Sequence, residues 1–158
     1  MASLFKSLSL IQIATCLLTV FAVFCCLAEA HTSLASGYTE YTDEKVAYKI
    51  HADPKTWLEA KQVCAEEGGS LAFIDTRKKI RFLGSKKSQG VQLWVGISRT
   101  SPSTDWSRVD CDDTLYYLPW APYEPSNSQN CVAIKGCSAG LSSQNCFDRK
   151  AFVCEKRV

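Results

Sequence analysis

Cysteine placement constrains this chain more than any other feature. Nine cysteines occur in 158 residues, a density that belongs to oxidising compartments, where small domains are held together by disulfides. Three of them, Cys16, Cys25 and Cys26, lie in the apolar run from Leu8 to Leu27. That run follows Lys6 and ends at the small-residue triplet Ala28-Glu29-Ala30, the pattern of a cleaved secretory leader. An uncleaved anchor is the alternative, since roughly 20 apolar residues span a bilayer, but Ser9, Gln12, Thr15 and Thr19 dilute the run. Residues 1–30 are therefore read as a signal peptide, 31–45 as an N-terminal lead-in and 46–158 as the folded domain. The protein is expected to be secreted and extracellular, without membrane contact after cleavage.

Cleavage leaves six cysteines, Cys64, Cys111, Cys131, Cys137, Cys146 and Cys154, which permit 15 pairings. They show no C-x-x-C spacing, and only His31 and His51 could add imidazole, so structural zinc is not expected. The same shortage leaves no nucleophile, base and orienting acid to assemble, so the chain is not read as an enzyme. A formal charge of +2, from 18 basic and 16 acidic residues, excludes a generic nucleic-acid binder.

Local patterns suggest an order of elements. Val46, Tyr48 and Ile50 alternate with polar neighbours as in a half-buried strand. Asp53-Pro54 reads as a helix start with Asp53 as cap, and Trp57, Ala60 and Cys64 form its inward face until Gly68-Gly69. Asp75 or Thr76 caps a second helix that reaches roughly to Leu83. Val91 to Ile97 reads as a buried core strand, with Gly96 where another backbone approaches. From Ser98 to Asn130 the chain is rich in Ser, Pro, Asp and Asn, and a loop of this length in a compact domain is usually functional. Tyr116, Tyr117 and Tyr123 on that loop are expected to be exposed contact residues, whereas Trp94, Trp106 and Trp120 are expected in the core. Cys131 to Ile134 and Ala151 to Cys154 supply further short strands.

Several of these segments, in this order, resemble the C-type lectin domain family. The carriers are Trp57-Leu-Glu-Ala-Lys-Gln-Val-Cys64, Gly69-Ser-Leu-Ala-Phe-Ile74, Leu93-Trp-Val-Gly-Ile97, Trp120, Glu124-Pro125, Cys131, Cys146 and Phe152-Val-Cys154-Glu155. The resemblance runs from about Tyr48 to Glu155. It implies an α+β fold, two helices flanking small antiparallel sheets with a long irregular loop, in the shorter form of the domain. It also implies the bridges Cys64–Cys154 and Cys131–Cys146. Cys111 and Cys137 are then expected to form a third bridge outside the basic family pattern. The peptide before Pro125 is expected to be cis.

Sugar-binding members of that family hold a Ca²⁺ on the long loop. Carried over position by position, Glu124 stands as the first ligand of an E-P-N motif whose Asn is Ser126 here. Gln129 stands where a glutamate is expected, and Leu141-Ser142-Ser143 stands in place of W-N-D. Two formal negative charges are lost, and calcium draws most of its affinity from anionic oxygens. The candidate ligand-binding set is therefore Glu124, Ser126, Gln129, Ser142 and Ser143, with Glu124 the one intact metal ligand and a largely lost Ca²⁺ site. Asp110, Asp112 and Asp113 around Cys111 are read as a turn that caps its own backbone.

Two functions follow. One is recognition of glycans on host or microbial surfaces, as family members do in innate immunity. The other is calcium-independent binding of an extracellular protein or an anionic polymer, sulfated or of lipopolysaccharide type. Arg77, Lys78, Lys79, Arg81, Lys86 and Lys87 form the candidate anionic patch, because no acidic residue interrupts the chain from Thr76 to Thr104.

Overall fold

A computed structural model describes residues 37–111, 113–136 and 139–158. The leader, with Cys16, Cys25 and Cys26, and also Asp112 and Cys137, lies outside the described residues. Ten elements follow one another: β1 (Thr39–Tyr41), β2 (Val46–Lys55), α1 (Trp57–Glu66), β3 (Ser70–Leu71), α2 (Arg77–Gly84), β4 (Leu93–Ser98), β5 (Ser107–Arg108), β6 (Cys131–Ile134), β7 (Leu141–Gln144) and β8 (Lys150–Arg157). The strands join in the order β1-β2-β8-β4-β6-β7, with β3 on β8 and β5 on β4. This is the expected α+β architecture, drawn into one connected sheet in which β4 runs parallel to β8.

The N-terminal boundary differs from expectation. Thr39 to Tyr41 pairs antiparallel with β2, and the Tyr41 ring is buried against Tyr48 and, edge-on at 5.0 Å, Phe82. The end of the lead-in thus belongs to the domain, because burying one aromatic ring outweighs the polar composition around it.

The first helix also starts later than expected. β2 continues through Asp53 and Pro54, in the stretch where its register against β8 shifts between His51 and Lys55. A proline without an N–H forfeits no ladder bond at such an irregularity. Thr56 caps α1 instead, in a reciprocal capping box. The Glu59 N–H donates to the Thr56 hydroxyl at 3.3 Å, and the Thr56 N–H donates to the Glu59 carboxylate at 2.8 Å. Trp57, Ala60 and Cys64 face inward, and Thr76 caps α2.

The core gathers Leu93, Val95 and Ile97 of β4 with Val132, Ile134, Leu141, Val153, Ile74, Ile80 and Leu83. Gly96 is required there, since a Cβ would lie 2.2 Å from the Leu71 carbonyl oxygen. Trp94 and Trp106 are buried, and Trp120 packs partly buried beside Trp106, ring centroids 5.2 Å apart. Cys64–Cys154 ties α1 to β8, and Cys131–Cys146 ties β6 to the turn beyond β7. The expected Cys111–Cys137 bridge involves Cys137, outside the described residues. Among the described residues Cys111 is a free, exposed thiol directed toward the Asp110 and Asp113 carboxylates.

Candidate functional site

The long loop leaves β4 at Ser98 and returns at β6, and its last turn brings most of the expected ligand set together. The Glu124–Pro125 peptide is cis, as expected. Glu124 is half-buried, and its Oε2 accepts from both the N–H and the hydroxyl of Ser143, each at 3.1 Å. The Ser126 N–H donates to the Ser143 hydroxyl oxygen at 2.7 Å. Glu124, Ser126 and Ser143 therefore form one connected cluster across residues far apart in sequence.

Two expected members stand apart from it. Ser142 points to the opposite face of β7, as the alternation of a strand requires. Fully buried, its hydroxyl donates to Ala133 O at 3.4 Å and accepts from Gln144. Gln129 contributes its main-chain oxygen to Arg99, while its side-chain amide reaches the Ser128 hydroxyl at 3.5 Å.

Sequence reading missed the cations of this loop. Lys135, the residue after β6, places Nζ 3.4 Å from Glu124 Oε1. Arg99, the residue after β4, sends its guanidinium into the loop. Their signal was weak but present, since each follows a strand whose end faces the loop.

These residues do not fit a divalent ion. The cluster has a single carboxylate, with Oε2 already accepting two hydrogen bonds and Oε1 facing an ammonium. With no second carboxylate a calcium ion gains little, and Lys135 would repel it. A second grouping, His51, Glu67 and Cys154, has ligand atoms within 4.8 Å of one another. It is no better, because the Cys154 sulfur is bridged to Cys64 and Glu67 Oε1 accepts from Lys49 Nζ at 2.6 Å.

One member of the candidate anionic patch, Lys79, is corrected by burial. Lys79 is buried with its ammonium 2.6 Å from Glu44 and 3.0 Å from Asp75. Burial alone would lower its pKa, but these two hydrogen-bonded carboxylates outweigh it and hold the ammonium above its ordinary value. Lys78 pairs with Asp43, Arg77 donates to Trp120 O, and Lys87 donates to Val91 O. Lys86 lies over the Phe82 ring at 5.1 Å, and Arg81 is exposed. Asp43, Glu44 and Asp75 thus neutralise Lys78 and Lys79, whereas the carbonyl and ring contacts of Arg77, Lys86 and Lys87 leave their charges in place.

A polar cleft of about 460 Å³ lies near the β2 and β8 ends and includes Phe73, Lys79, Arg108 and Glu155. Glu155 is buried, its Oε2 accepting from the Phe73 N–H at 3.2 Å. Burial pushes its carboxyl pKa up against the opposing pull of Lys79 and Arg108. The cleft's acids face its own cations, so it is internally compensated.

The loop's outer surface carries aromatic rings. Tyr116, Tyr117 and Tyr123 are all exposed, as expected, and Tyr123 adopts φ +66° just before Glu124.

Comparison with known proteins agrees with this geometry. The family profile described as Lectin C-type domain matches residues 53–156. The chain is 34% identical over 107 residues to C-type lectin domain family 9 member A of Rattus norvegicus, covering 66% of this chain and 44% of that protein. It is 25% identical to human natural killer cells antigen CD94 over 111 residues, covering 70% and 59% respectively. The chain thus spans about half the length of these two relatives. Among solved structures, a calcium-independent type II antifreeze protein superposes with TM-score 0.68 at 22% identity, covering 77% of this chain and 92% of that one. The C-type lectin domain of murine dendritic cell inhibitory receptor 2, in complex with N-glycan, superposes with TM-score 0.69 at 20% identity, covering 78% and 98%. With the profile spanning most of the domain and the fold and bridges in agreement, the chain belongs to the C-type lectin domain family.

Proposed function

We propose that the protein is a secreted, extracellular recognition module that binds glycans on microbial or host surfaces through its long loop, in an innate-defence role, without calcium at Glu124. Residues 1–30 serve as its export leader, and the domain binds rather than catalyses. The observation that carries this reading is the exposure of Tyr116, Tyr117 and Tyr123 on the loop. An exposed ring offers an apolar face for the C–H face of a sugar and a hydroxyl for hydrogen bonding. A related domain fold has been crystallised with an N-glycan, which supports the choice of ligand class.

A second reading, calcium-independent binding of an extracellular protein, draws on the same loop and on the pairing of Glu124 with Lys135. A sulfated or lipopolysaccharide-type polymer is a weaker ligand choice, because Lys79 is internal and Lys78 is paired with Asp43.

The test is a glycan array probed in calcium and in EDTA, with a Tyr116→Ala, Tyr117→Ala, Tyr123→Ala triple variant beside the wild type. Binding should survive EDTA and be lost in the triple variant at unchanged melting temperature. An array silent in both buffers would reject glycans and turn the search to protein ligands.

A further inference from the structure

Residues 99–130, between β4 and β6, contain only the two-residue strand β5 among the described residues. Most main-chain groups of this segment lack ladder partners, so its order must come from other contacts. Main-chain bonds such as Leu115 N–H to Trp106 O and Ala121 N–H to Leu141 O, each at 2.8 Å, supply some of them, and two side-chain cations supply others.

Arg99 turns its guanidinium into the loop. It donates to Gln129 O at 2.9 and 3.1 Å and to Asn130 Oδ1 at 3.3 Å. It also donates to Pro102 O at 3.2 Å and to Ser126 O at 3.0 Å. Its Cζ lies 4.5 Å from the Trp106 ring centroid. Oxygens from both ends of the loop therefore converge on one positive centre. A hard metal ion gathers oxygens in this way, but the guanidinium fork also fixes the direction of each bond and stays charged at any physiological pH. Lys135 acts at the other end, where Nζ gives Glu124 Oε1 its countercharge while Ser143 saturates Oε2.

We infer that Arg99 and Lys135 together take the place of a calcium ion in this loop, which is therefore ordered without metal and indifferent to calcium. This rests on the binding-face reading above and says how that face is held. An ion approaching Glu124 would have to displace an ammonium from the one carboxylate present. Recognition by the loop then persists in chelator and in calcium-poor fluids.

The experiment uses the intact secreted protein, with calcium alone as the probe. Melting temperature and hydrogen exchange of loop amides are recorded in EDTA and in about 10 mM CaCl₂ for wild type, Arg99→Lys, Lys135→Met and Glu124→Gln. The wild type should melt and exchange identically in both buffers. Arg99→Lys, which keeps the charge but loses the fork, should speed exchange of loop amides about tenfold while β8 amides stay protected. Lys135→Met should speed exchange around residues 121–126 and leave β8 unchanged. A site of millimolar affinity would instead raise the wild-type melting temperature by roughly 5 °C at that concentration. Such a rise, abolished by Glu124→Gln, overturns the inference, and so does loop exchange unaltered in both cation variants. The glycan array is scored separately. Glycan capture with a calcium response sinks this inference and leaves glycan recognition by the loop standing, whereas an indifferent, protected loop with a silent array sinks the glycan reading alone.

Discussion

The indole N–H of Trp57 donates a 2.8 Å hydrogen bond to the main-chain oxygen of Val95, 38 residues further along the chain. This one bond fixes the start of α1 against the central strand β4, in a buried setting where an unpaired acceptor is costly. Trp57→Phe keeps most of the apolar volume and withdraws the donor. The expected loss is about 2 kcal/mol in urea denaturation, with the far-ultraviolet spectrum unchanged.

Gly96 leaves no room for a methyl group. A Cβ there would sit 2.2 Å from Leu71 O and 2.8 Å from Val109 Cγ1. The first contact is with backbone, which cannot swing aside as a flexible side chain can. Gly96→Ala is expected to destabilise by about 3 kcal/mol or more, read as a lower urea midpoint at unchanged slope.

Lys79 separates stability from ligand binding. Lys79→Met leaves Glu44 and Asp75 without their shared cation; both side chains are partly exposed although Asp75 Oδ1 is buried, so the expected loss of about 2 kcal/mol lies below that of a fully buried pair. Heparin retention should not change, since the ammonium is not on the surface. A variant with native stability and reduced heparin retention would contradict this placement.

His51 makes the fold sensitive to mild acid. Burial holds its imidazole below its ordinary pKa, and Lys49 adds to that while Glu67 opposes it. The ring is stacked on Phe152 at 4.4 Å. The unfolded chain therefore binds a proton more readily than the folded one. Stability should be level above about pH 7, fall as pH drops through about 6.5, and level off again below the folded pKa. Urea midpoints between about pH 8 and 5.5 should show this step in the wild type and not in His51→Gln.

Much of the frame was legible from the chain alone because its signals are local. Gly96 beside a crossing backbone, Thr76 as a cap and Cys64 on an inward helix face each follow from a few neighbouring residues. The resemblance to a known family then supplied Cys64–Cys154 and Cys131–Cys146, which local pattern leaves open among many pairings. Lys79 was misread because Glu44 meets it only in three dimensions, and because Asp75, one helical turn before it, lies just ahead of the basic segment. Lys135 was overlooked because its pairing with Glu124 depends on how the loop returns beside β7. The cap at Thr56 beat Asp53 because the reciprocal Thr56–Glu59 bonds satisfy two orphan donors at once.

The antiparallel pairing of β2 with β8 sets Ile50 beside Val153 and Val46 beside Arg157. β8 lies between β2 and β4 in the sheet, yet among the described strands it is the last to be synthesised. At roughly 5 to 20 residues per second, β2 waits on the order of 5 to 20 s for the partner that covers its edge. Until then the strand and the apolar residues behind it stay open to other chains. Completion of the domain is consequently a late, nearly all-at-once event, and a nascent chain cut short before Lys150 lacks the strand that joins its two halves.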